Sequence, residues 1–400
     1  MARGDSGRIG KINAAGNSEP AGAGLLPVYL IVFSAFFDTH AQMPVLAPYA
    51  VSMGATPFIL GVVIGTYSFF NILGNFTGGA AIDRKGWKVP LIIGLLGVSF
   101  ALLIYTQVDV VLYLVLTRGA HGFMGGLLVP AALACLTGNK DGSAFYGPRL
   151  AVFGATIGLA AVTGPLAAGI IATNFGYPAV YYSLSALMFT ATIASAAVAK
   201  KQVVCSRPAA PVSFRQISAL PEMRGAFIFA LGTMGSTGTL ASFLPARAES
   251  LGFDPAQTGM LFATFALVAI VVQIFWPGKL KPVLGGNCRG CTVGLFFLCL
   301  GLSLAASLNN ATGLFAALAT FGIGFGLTFQ GMLGMVIDGS ELSWRGRAIG
   351  LFFAVYSFGV AVVPPLSGLI WQNLPAIFPF YTAAAVALAS MACGLKIARQ

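Results

Sequence analysis

The sequence predicts an all-α integral membrane protein in which twelve transmembrane helices form two pseudo-symmetric six-helix bundles around a central cavity. Three observations support this fold class. First, 57% of the 400 residues are hydrophobic and only 8% are charged, against about 25% charged in a soluble domain. Second, apolar stretches of about 20 residues, the length that crosses a bilayer, recur along the chain. Third, short motifs repeat between the two halves.

The apolar stretches leave almost no room for a soluble domain. The first of them is too long for the core of a signal peptide, and its polar flank has no obvious cleavage site, so we interpret it as a transmembrane helix. The predicted spans are 25–50, 56–80, 89–106, 109–137, 149–173, 177–199, 223–246, 257–277, 290–308, 312–337, 345–371 and 374–396.

The placement of charge predicts the orientation of these spans. The chain has 22 Lys and Arg, 11 Asp and Glu, and a formal net charge of +11. All the basic residues except Arg118 and Arg247 lie at or beside the termini, alternate loops or the segment between spans six and seven. By the positive-inside rule, the termini and that segment face the cytoplasm. We therefore expect a multi-pass protein of a bacterial cytoplasmic (inner) membrane, which contacts membrane lipids and not nucleic acid.

A polar, proline-containing segment divides the spans six and six. We expect a disordered cytoplasmic tail at 1–24, an N-terminal six-helix bundle at 25–199, a cytoplasmic linker at 200–222 and a C-terminal six-helix bundle at 223–400. The tail is rich in Gly, Ala, Ser and Asn, a composition typical of disorder.

Two sequence repeats relate the halves. Residues 52–61 enter span two, and residues 250–259 enter span eight with Ser, Gly, Pro and Gly at a constant offset of 198 residues (250 − 52). The glycines and proline of residues 158–169 in span five recur, with one gap, in span eleven. Together these repeats favour parallel six-helix units, an architecture whose solute site lies between the halves.

The loop between spans two and three contains a charged motif. It reads GAAIDRKGWK from Gly79, so that Asp83 and Arg84 stand between two glycines. This loop resembles the signature loop of the major facilitator superfamily, with Trp87 where a basic residue is usual. The resemblance implies a conformational latch formed by Gly79, Asp83, Arg84 and Gly86. Glycine at the first and last of these positions permits close helix approach and a sharp turn.

Span four carries a charge within the membrane. Its sequence TRGAHG contains Arg118 and His121 and is similar to a pattern of the drug:proton antiporter branch of the superfamily, in which Gln is commoner than this His. An Arg buried in a bilayer is costly unless it is paired or hydrated, so we interpret Arg118 as a functional residue.

Span five resembles a third pattern, which the family associates with antiport. Glycines and a proline predict a smooth, kinkable face along which two helices slide, and ordinary glycine packing would produce the same residues. This antiporter-like helix contains Gly158, Gly164, Pro165 and Gly169.

Asp38 is the one acidic residue deep within a predicted span. Spans one and four are neighbours in the family's fold, so we expect Asp38 and Arg118 to form a pair, which makes two costly charges tolerable. Burial and the neighbouring cation act on the carboxyl group in opposite directions, so substrate binding or helix movement can shift the balance. The pair is therefore the predicted proton-coupling site, and a static pair for helix packing is the alternative. We expect no cofactor, and the proton gradient is the expected energy source.

Further residues are candidates for the wall of the substrate cavity. Gln42 shares the helix face of Asp38, whereas His40 lies about 200° around the helix and either lines the cavity or bonds to another helix. The candidates are Phe37, His40, Gln42, Tyr67, Asn71, His121, Gln330 and Tyr356.

The resemblance implies a secondary active transporter that works by alternating access. The antiporter-like patterns favour proton-coupled efflux of an amphipathic organic compound. One alternative is transport of divalent iron or manganese, for which Asp38, His40, Met43 and His121 are candidate ligands. A membrane sensor or scaffold without transport is the alternative from another class. We expect a monomer with a small-molecule or ion substrate.

The sequence does not suggest an enzyme. We find no HExxH motif, Ser-His-Asp set or phosphate-cradling loop. Cys288 and Cys291 form a single C-x-x-C motif, and a structural zinc site needs four ligands. We therefore expect neither catalysis nor a resident metal.

Overall fold

The computed structural model describes residues 26–137, 146–198, 213–341, 344–372 and 377–397. Within these ranges all regular secondary structure is helical. The α-helices are α1 (Leu26–Ala41), α2 (Leu46–Ser52), α3 (Pro57–Lys85), α4 (Lys88–Tyr105), α5 (Val111–Gly126), α6 (Leu128–Thr137), α7 (Tyr146–Phe175), α8 (Tyr177–Val198), α9 (Phe214–Ala219), α10 (Pro221–Ser250), α11 (Pro255–Phe275), α12 (Lys281–Leu284), α13 (Asn287–Ser307), α14 (Ala311–Asp338), α15 (Arg345–Trp371) and α16 (Phe378–Ile397). A π-helical turn at Trp276–Leu280 joins α11 to α12.

The long helices agree with the predicted spans. Eleven candidate spans are long and apolar enough to cross a membrane, and the bent pair of α1 and α2 makes a twelfth. Helices are required here because a helix satisfies its backbone hydrogen bonds within one segment, where the bilayer offers no water. The predicted all-α membrane fold is confirmed for the described part of the chain.

The first span is broken, and the prediction of one continuous helix over 25–50 is wrong. α1 and α2 are bent by 46° at the break. Pro44 explains it, because proline has no N–H to donate to the carbonyl of His40, four residues earlier. The N–H of Met43 donates to that carbonyl instead, at 3.1 Å, in a tight turn. The break follows Asp38 by about one helical turn.

The fourth predicted span, 109–137, is found as one candidate span at Val111–Cys135, with its α-helix interrupted at Leu127 between α5 and α6. Pro130 lacks the N–H that would bond to the carbonyl of Gly126, where α5 ends. Just before the break α5 approaches α3 closely, and a Cβ on Gly125 would lie 2.8 Å from the hydroxyl oxygen of Tyr67.

Two helix crossings join the halves at one end of the molecule, α3 with α15 and α7 with α11. On each helix of a crossing, a glycine lies against a proline carbonyl of the other helix, in the space that a Cβ would need. The contacts are Gly61 with Pro364, Gly368 with Pro57, Gly259 with Pro165, and Gly169 with Pro255. The first and third of these glycines are 198 residues apart (259 − 61), the offset of the sequence repeat. The repeat in sequence is therefore a repeat of contacts.

The predicted tail at 1–24 lies outside the described residues, as do residues 199–212 of the region around the predicted linker. After that gap, a capping box at Ser213 starts the short helix α9. The ring of Phe214 on α9 meets the ring of Phe76 on α3, edge to face, with 6.4 Å between centroids. The predicted domain boundaries stay a prediction.

Arg247, the exception to the charge pattern, caps the end of a helix. Its Nε donates to the carbonyl of Ala305 at 2.6 Å, and a terminal nitrogen donates to Ala306 O at 2.6 Å and to Asn309 Oδ1 at 3.0 Å. α13 ends at Ser307, and the last carbonyls of a helix lack partners within it. The guanidinium supplies these partners and places a positive charge at the negative end of the helix dipole.

Candidate functional site

Four polar side chains are buried together among the helices of the N-terminal half. Asp38 lies on α1, one turn before Gln42, which directly follows the end of that helix, and Arg118 and His121 are one turn apart on α5, so that each pair points in one direction. Their exposed fractions are 2% for Asp38, 2% for Gln42, 6% for Arg118 and 0% for His121. We call these four residues the buried polar cluster.

Both carboxylate oxygens of Asp38 have partners in the cluster. Oδ2 lies 2.9 Å from Nε2 of His121, and Oδ1 accepts a hydrogen bond from Nε2 of Gln42 at 2.8 Å. Asp38 therefore contacts α5 through the histidine of that helix.

Arg118 reaches the same cluster through an amide. A terminal nitrogen of Arg118 donates to Oε1 of Gln42 at 2.8 Å. Because a guanidinium only donates, Oε1 must face Arg118, and this turns the Nε2 donor of Gln42 towards Asp38. The amide thus bridges the anion and the cation.

The expected pair of Asp38 and Arg118 is therefore not a direct contact: among the described residues Asp38 Oδ2 lies against His121, and the guanidinium is connected to the carboxylate through Gln42. The reason is that Arg118 is drawn towards α3. Its Nε donates to the carbonyl of Val63 at 3.3 Å, and its guanidinium lies 4.4 Å from the ring centroid of Tyr67, a cation–π distance.

Tyrosine rings close the cluster on one side. The hydroxyl of Tyr105 lies 3.3 Å from Nδ1 of His121, and the Tyr105 ring stacks on Tyr181 with 4.9 Å between centroids. The hydroxyl of Tyr49 donates to the carbonyl of Tyr105 at 2.6 Å. The sequence carries no signal for Tyr49, Tyr105 or Tyr181, because a tyrosine among the apolar residues of a span has no distinguishing pattern.

His40 faces away from the cluster, as its angular position predicts. Its Nδ1 lies 2.7 Å from the carbonyl of Phe36 in the same helix, so that nitrogen does not form the expected bond to another helix, and lining of the cavity by His40 stays a prediction. Within the described residues no group of three His, Cys, Asp or Glu side chains is placed to hold a metal. The alternative ligand set of Asp38, His40, Met43 and His121 is thus not assembled, although Asp38 and His121 are in contact.

The other cavity candidates lie in two places. Phe37 packs against the ring of Phe33 on α1, with 5.3 Å between centroids. On α3, the amide nitrogen of Asn71 donates to the carbonyl of Gly122 at 3.3 Å and its amide oxygen accepts from Asn75 at 2.8 Å, so this side chain joins α3 to α5.

Gln330 and Tyr356 belong to the other half, on α14 and α15. The ring of Tyr356 contacts Phe329, Phe352 and Phe353, with centroid separations of 6.2, 5.8 and 5.7 Å. Gln330 is half-buried beside this aromatic group.

The loop of the predicted latch has the expected sharp turn at Gly86, and the latch role itself stays a prediction. Gly86 ends α3 with φ of 77°, a left-handed conformation that favours glycine, and its N–H donates to Ile82 O at 2.9 Å. The expected close helix approach at Gly79 is wrong, because a Cβ there would meet no atom within 4 Å. α3 instead packs closely through Gly74, on another face. Arg84 is exposed, and the side chain of Asp83 lies outside the described part.

The antiporter-like helix α7 packs between α1 and α11. A Cβ on Gly164 would lie 3.0 Å from the carbonyl oxygen of Phe37 on α1. Gly158 and Gly169 face α11, the first against Ile270, and Pro165 lies inside the helix. One helix therefore touches both the helix of Asp38 and the crossing between the halves.

A bundle of about twelve membrane spans, in two halves that meet at repeated crossings, is the architecture of a secondary membrane transporter. The sequence model of the Major Facilitator Superfamily matches residues 28–221 and 225–399, and the chain belongs to this superfamily. The resemblance noted in the sequence is thereby confirmed. The chain is a multi-pass membrane transporter.

Relatives and solved structures agree with this assignment. The chain is 21% identical over 344 residues to an uncharacterized transporter of this type from Methanocaldococcus jannaschii. That alignment covers 84% of this chain and 88% of the relative. It is 22% identical over 353 residues to the multidrug efflux protein YfmO of Bacillus subtilis, in an alignment that covers 87% of this chain and 86% of YfmO. The nucleoside transporter NupG superposes with a TM-score of 0.78 at 14% identity, over 94% of this chain and 99% of NupG, which supports the fold.

Proposed function

We propose that this transporter exports an amphipathic organic compound in exchange for protons, with Asp38 and Arg118 as the coupling pair. The observation that carries the proposal is the buried polar cluster. In it the carboxylate of Asp38 and the guanidinium of Arg118 lie on either side of Gln42 inside apolar helices. Several relatives, among them YfmO, are named as multidrug efflux or resistance proteins, which supports efflux of organic compounds.

The charge balance of the cluster supports coupling. With Asp38 ionised and His121 neutral, the negative carboxylate offsets the positive guanidinium of Arg118. A proton on Asp38 leaves Arg118 uncompensated in a low-dielectric interior, where one charge has a large effect. Protonation therefore favours a different arrangement of the helices that hold these groups, which is the requirement for exchange.

The packing of α1 offers a route from Asp38 to the contact between the halves. α1 carries Asp38 between the break at Pro44 and the close contact with Gly164 on α7. On the next turn of α7, Pro165 and Gly169 form the crossing with α11. A shift of α1 on protonation would thus press on the helix that joins the two halves.

The conformation suits loading of substrate from the cytoplasm. The crossings close the end that carries Pro57 and Pro255, which the charge distribution predicts to be the outer end.

The C-terminal half contributes an aromatic group suited to an amphipathic organic molecule. On α14, Phe325 and Phe329 stack with 5.9 Å between centroids and 8° between planes. Tyr356 of α15 meets Phe329 edge to face. Aromatic walls with few polar groups are typical of sites for such ligands.

Transport by proteoliposomes tests this function. We expect purified protein to move ethidium against its gradient when a pH gradient is imposed, and Asp38→Asn to abolish this movement while ethidium binding persists. The matched control is Asp338→Asn, because Asp338 is exposed at the end of α14. Unchanged pH dependence in Asp38→Asn would contradict the assigned role. Transport of labelled Mn(II) without any of ethidium would replace organic efflux by the metal alternative.

A further inference from the structure

His121 has hydrogen-bond partners on both of its ring nitrogens, each from a different helix. Nε2 faces Asp38 Oδ2 of α1 at 2.9 Å, and Nδ1 faces the hydroxyl of Tyr105 of α4 at 3.3 Å. The imidazole is fully buried, with an exposed fraction of 0%. Such a ring can take a proton on one side and release one on the other, which is the chemistry of a relay.

The two partners of His121 lie at different depths in the predicted membrane. Asp38 is near the middle of the first span, whereas Tyr105 is the last residue of α4, next to the loop at 106–110 that the charge distribution predicts to be outside. The series from Asp38 through His121 to Tyr105 therefore leads from the interior towards the outer surface.

Further tyrosines continue this direction. Tyr181 of α8 stacks on Tyr105, and its buried hydroxyl has no hydrogen-bond partner among the residues that the structure describes. Tyr49 of α2 contacts both of these tyrosines. Its hydroxyl donates to the carbonyl of Tyr105, and its ring centroid lies 5.3 Å from that of Tyr181. A buried hydroxyl without a partner is costly, which marks Tyr181 as a place where a water molecule or a moving proton is stabilised.

The titratable and charged groups around His121 come from four helices. Asp38 belongs to α1, Tyr67 to α3, Tyr105 to α4 and Arg118 to α5. The Tyr67 ring stands edge-on to the imidazole with 5.2 Å between centroids. Asp38 is the one carboxylate of this set, so it is the acceptor for a proton that leaves Nε2.

We propose that His121 is the proton relay of Asp38, and that protons reach it from the outer side through Tyr105, inside the N-terminal half and apart from the substrate cavity. This inference rests on the proposed proton coupling and reassigns His121 from the cavity wall to the proton route. With Asp38 ionised, Nε2 carries the hydrogen and Nδ1 accepts from the Tyr105 hydroxyl.

The transfer step conserves protons. The O–H bond of Tyr105 breaks as an N–H bond forms at Nδ1, and the N–H bond at Nε2 breaks as an O–H bond forms at Asp38 Oδ2. In the same concerted step the Tyr105 oxygen takes up a proton that enters from the outer aqueous phase, so that neither a tyrosinate nor a hydroxide is left. His121 ends as the other neutral tautomer with its N–H at Nδ1, and a flip of the imidazole ring turns this N–H back towards Asp38, without breaking a bond, after Asp38 has released its proton towards the cavity.

Nitrogen NMR of histidine tests the relay without any substrate. The chain has only two histidines, so ¹⁵N-histidine labelling in proteoliposomes yields two sets of signals, and a His40→Gln variant assigns them. We expect Asp38→Asn to alter the Nε2 signal of His121 and Tyr105→Phe to alter its Nδ1 signal. Tyr113→Phe, a change at an exposed tyrosine, should leave both unchanged. An Nδ1 signal unaffected by Tyr105→Phe would overturn the relay.

Ethidium transport then separates the relay from the proposed function. We expect His121→Gln and Tyr105→Phe to lower proton-driven transport by about a hundredfold, the range for loss of a positioned proton-transfer group. Ethidium binding should persist in both. In His121→Gln, for example, the amide still forms hydrogen bonds although it cannot take up and release a proton. If the unmodified protein shows no proton-driven transport, the proposed function fails. If that protein is coupled and both variants remain coupled, or if either variant loses ethidium binding, only the relay fails.

Discussion

Arg118 reaches Gln42 at 2.8 Å, so the cation of α5 balances the acid of α1 through an amide and not by direct contact. Gln42 has both ends of its amide engaged, one by the guanidinium and one by the carboxylate of Asp38. The neutral side chain of Gln42 thus fixes the positions of the two buried charges relative to each other.

We predict that Gln42→Leu destabilises the protein strongly. The change leaves Oδ1 of Asp38 and a terminal nitrogen of Arg118 without their shared partner in a buried site, and breaking a buried charged network costs about 3 to 5 kcal/mol. Thermal unfolding in detergent measures the loss. The control is Gln107→Leu, since Gln107 is exposed and bonds to Tyr182 and Thr106. Equal melting temperatures for the two variants would contradict the bridging role of Gln42.

Neutralising one charge of the cluster should be worse than neutralising both. We expect Arg118→Met to destabilise the protein because Asp38 keeps an uncompensated charge, and Asp38→Asn added to Arg118→Met to recover part of the stability. A double-mutant cycle gives the coupling between the two sites, for which neighbours in one network typically show about 0.5 to 3 kcal/mol. A coupling of zero would mean that the amide does not connect the two charges energetically.

The membrane fold follows from hydropathy and charge because the bilayer restricts the chain to helices of a set length. The breaks at Pro44 and Pro130 do not follow from hydropathy, since proline interrupts hydrogen bonding without lowering the apolar content of the span. The missing N–H alone does not locate them, because Pro165, Pro245 and Pro364 lie inside unbroken helices.

The buried polar cluster was partly predictable for a physical reason. A charge within a span is costly, so Asp38 and Arg118 stand out in the sequence. Which groups meet depends on the rotation and height of two helices, and one turn along α5 exchanges Arg118 for His121. Tyr105 gave no signal because its role depends on the tertiary contact with His121.

The glycines at the crossings predict which substitutions separate the halves. We expect Gly169→Ala to destabilise the closed arrangement, because the new Cβ would occupy the place of the Pro255 carbonyl, and overpacking typically costs about 1 to 3 kcal/mol. Gly350→Ala is the matched control, since a Cβ there meets nothing within 4 Å. Electron spin resonance distances between labels on α7 and α11 report the separation. Identical distance distributions in the two variants would show that the glycine is not required for the crossing.

The cap at the end of α13 predicts that Arg247 is not replaceable by Lys. The guanidinium bonds to several acceptors at once, with Nε on Ala305 and a terminal nitrogen on Ala306 and Asn309, whereas an ammonium group lacks this planar fork. Each hydrogen bond lost from a partly buried carbonyl costs about 1 kcal/mol, so we expect Arg247→Lys to lower the melting temperature. Arg215→Lys is the control, because Arg215 is exposed on α9. Hydrogen exchange of the last turn of α13 should increase in Arg247→Lys alone, and protection equal to that of the unmodified protein would mean that the carbonyls find other partners.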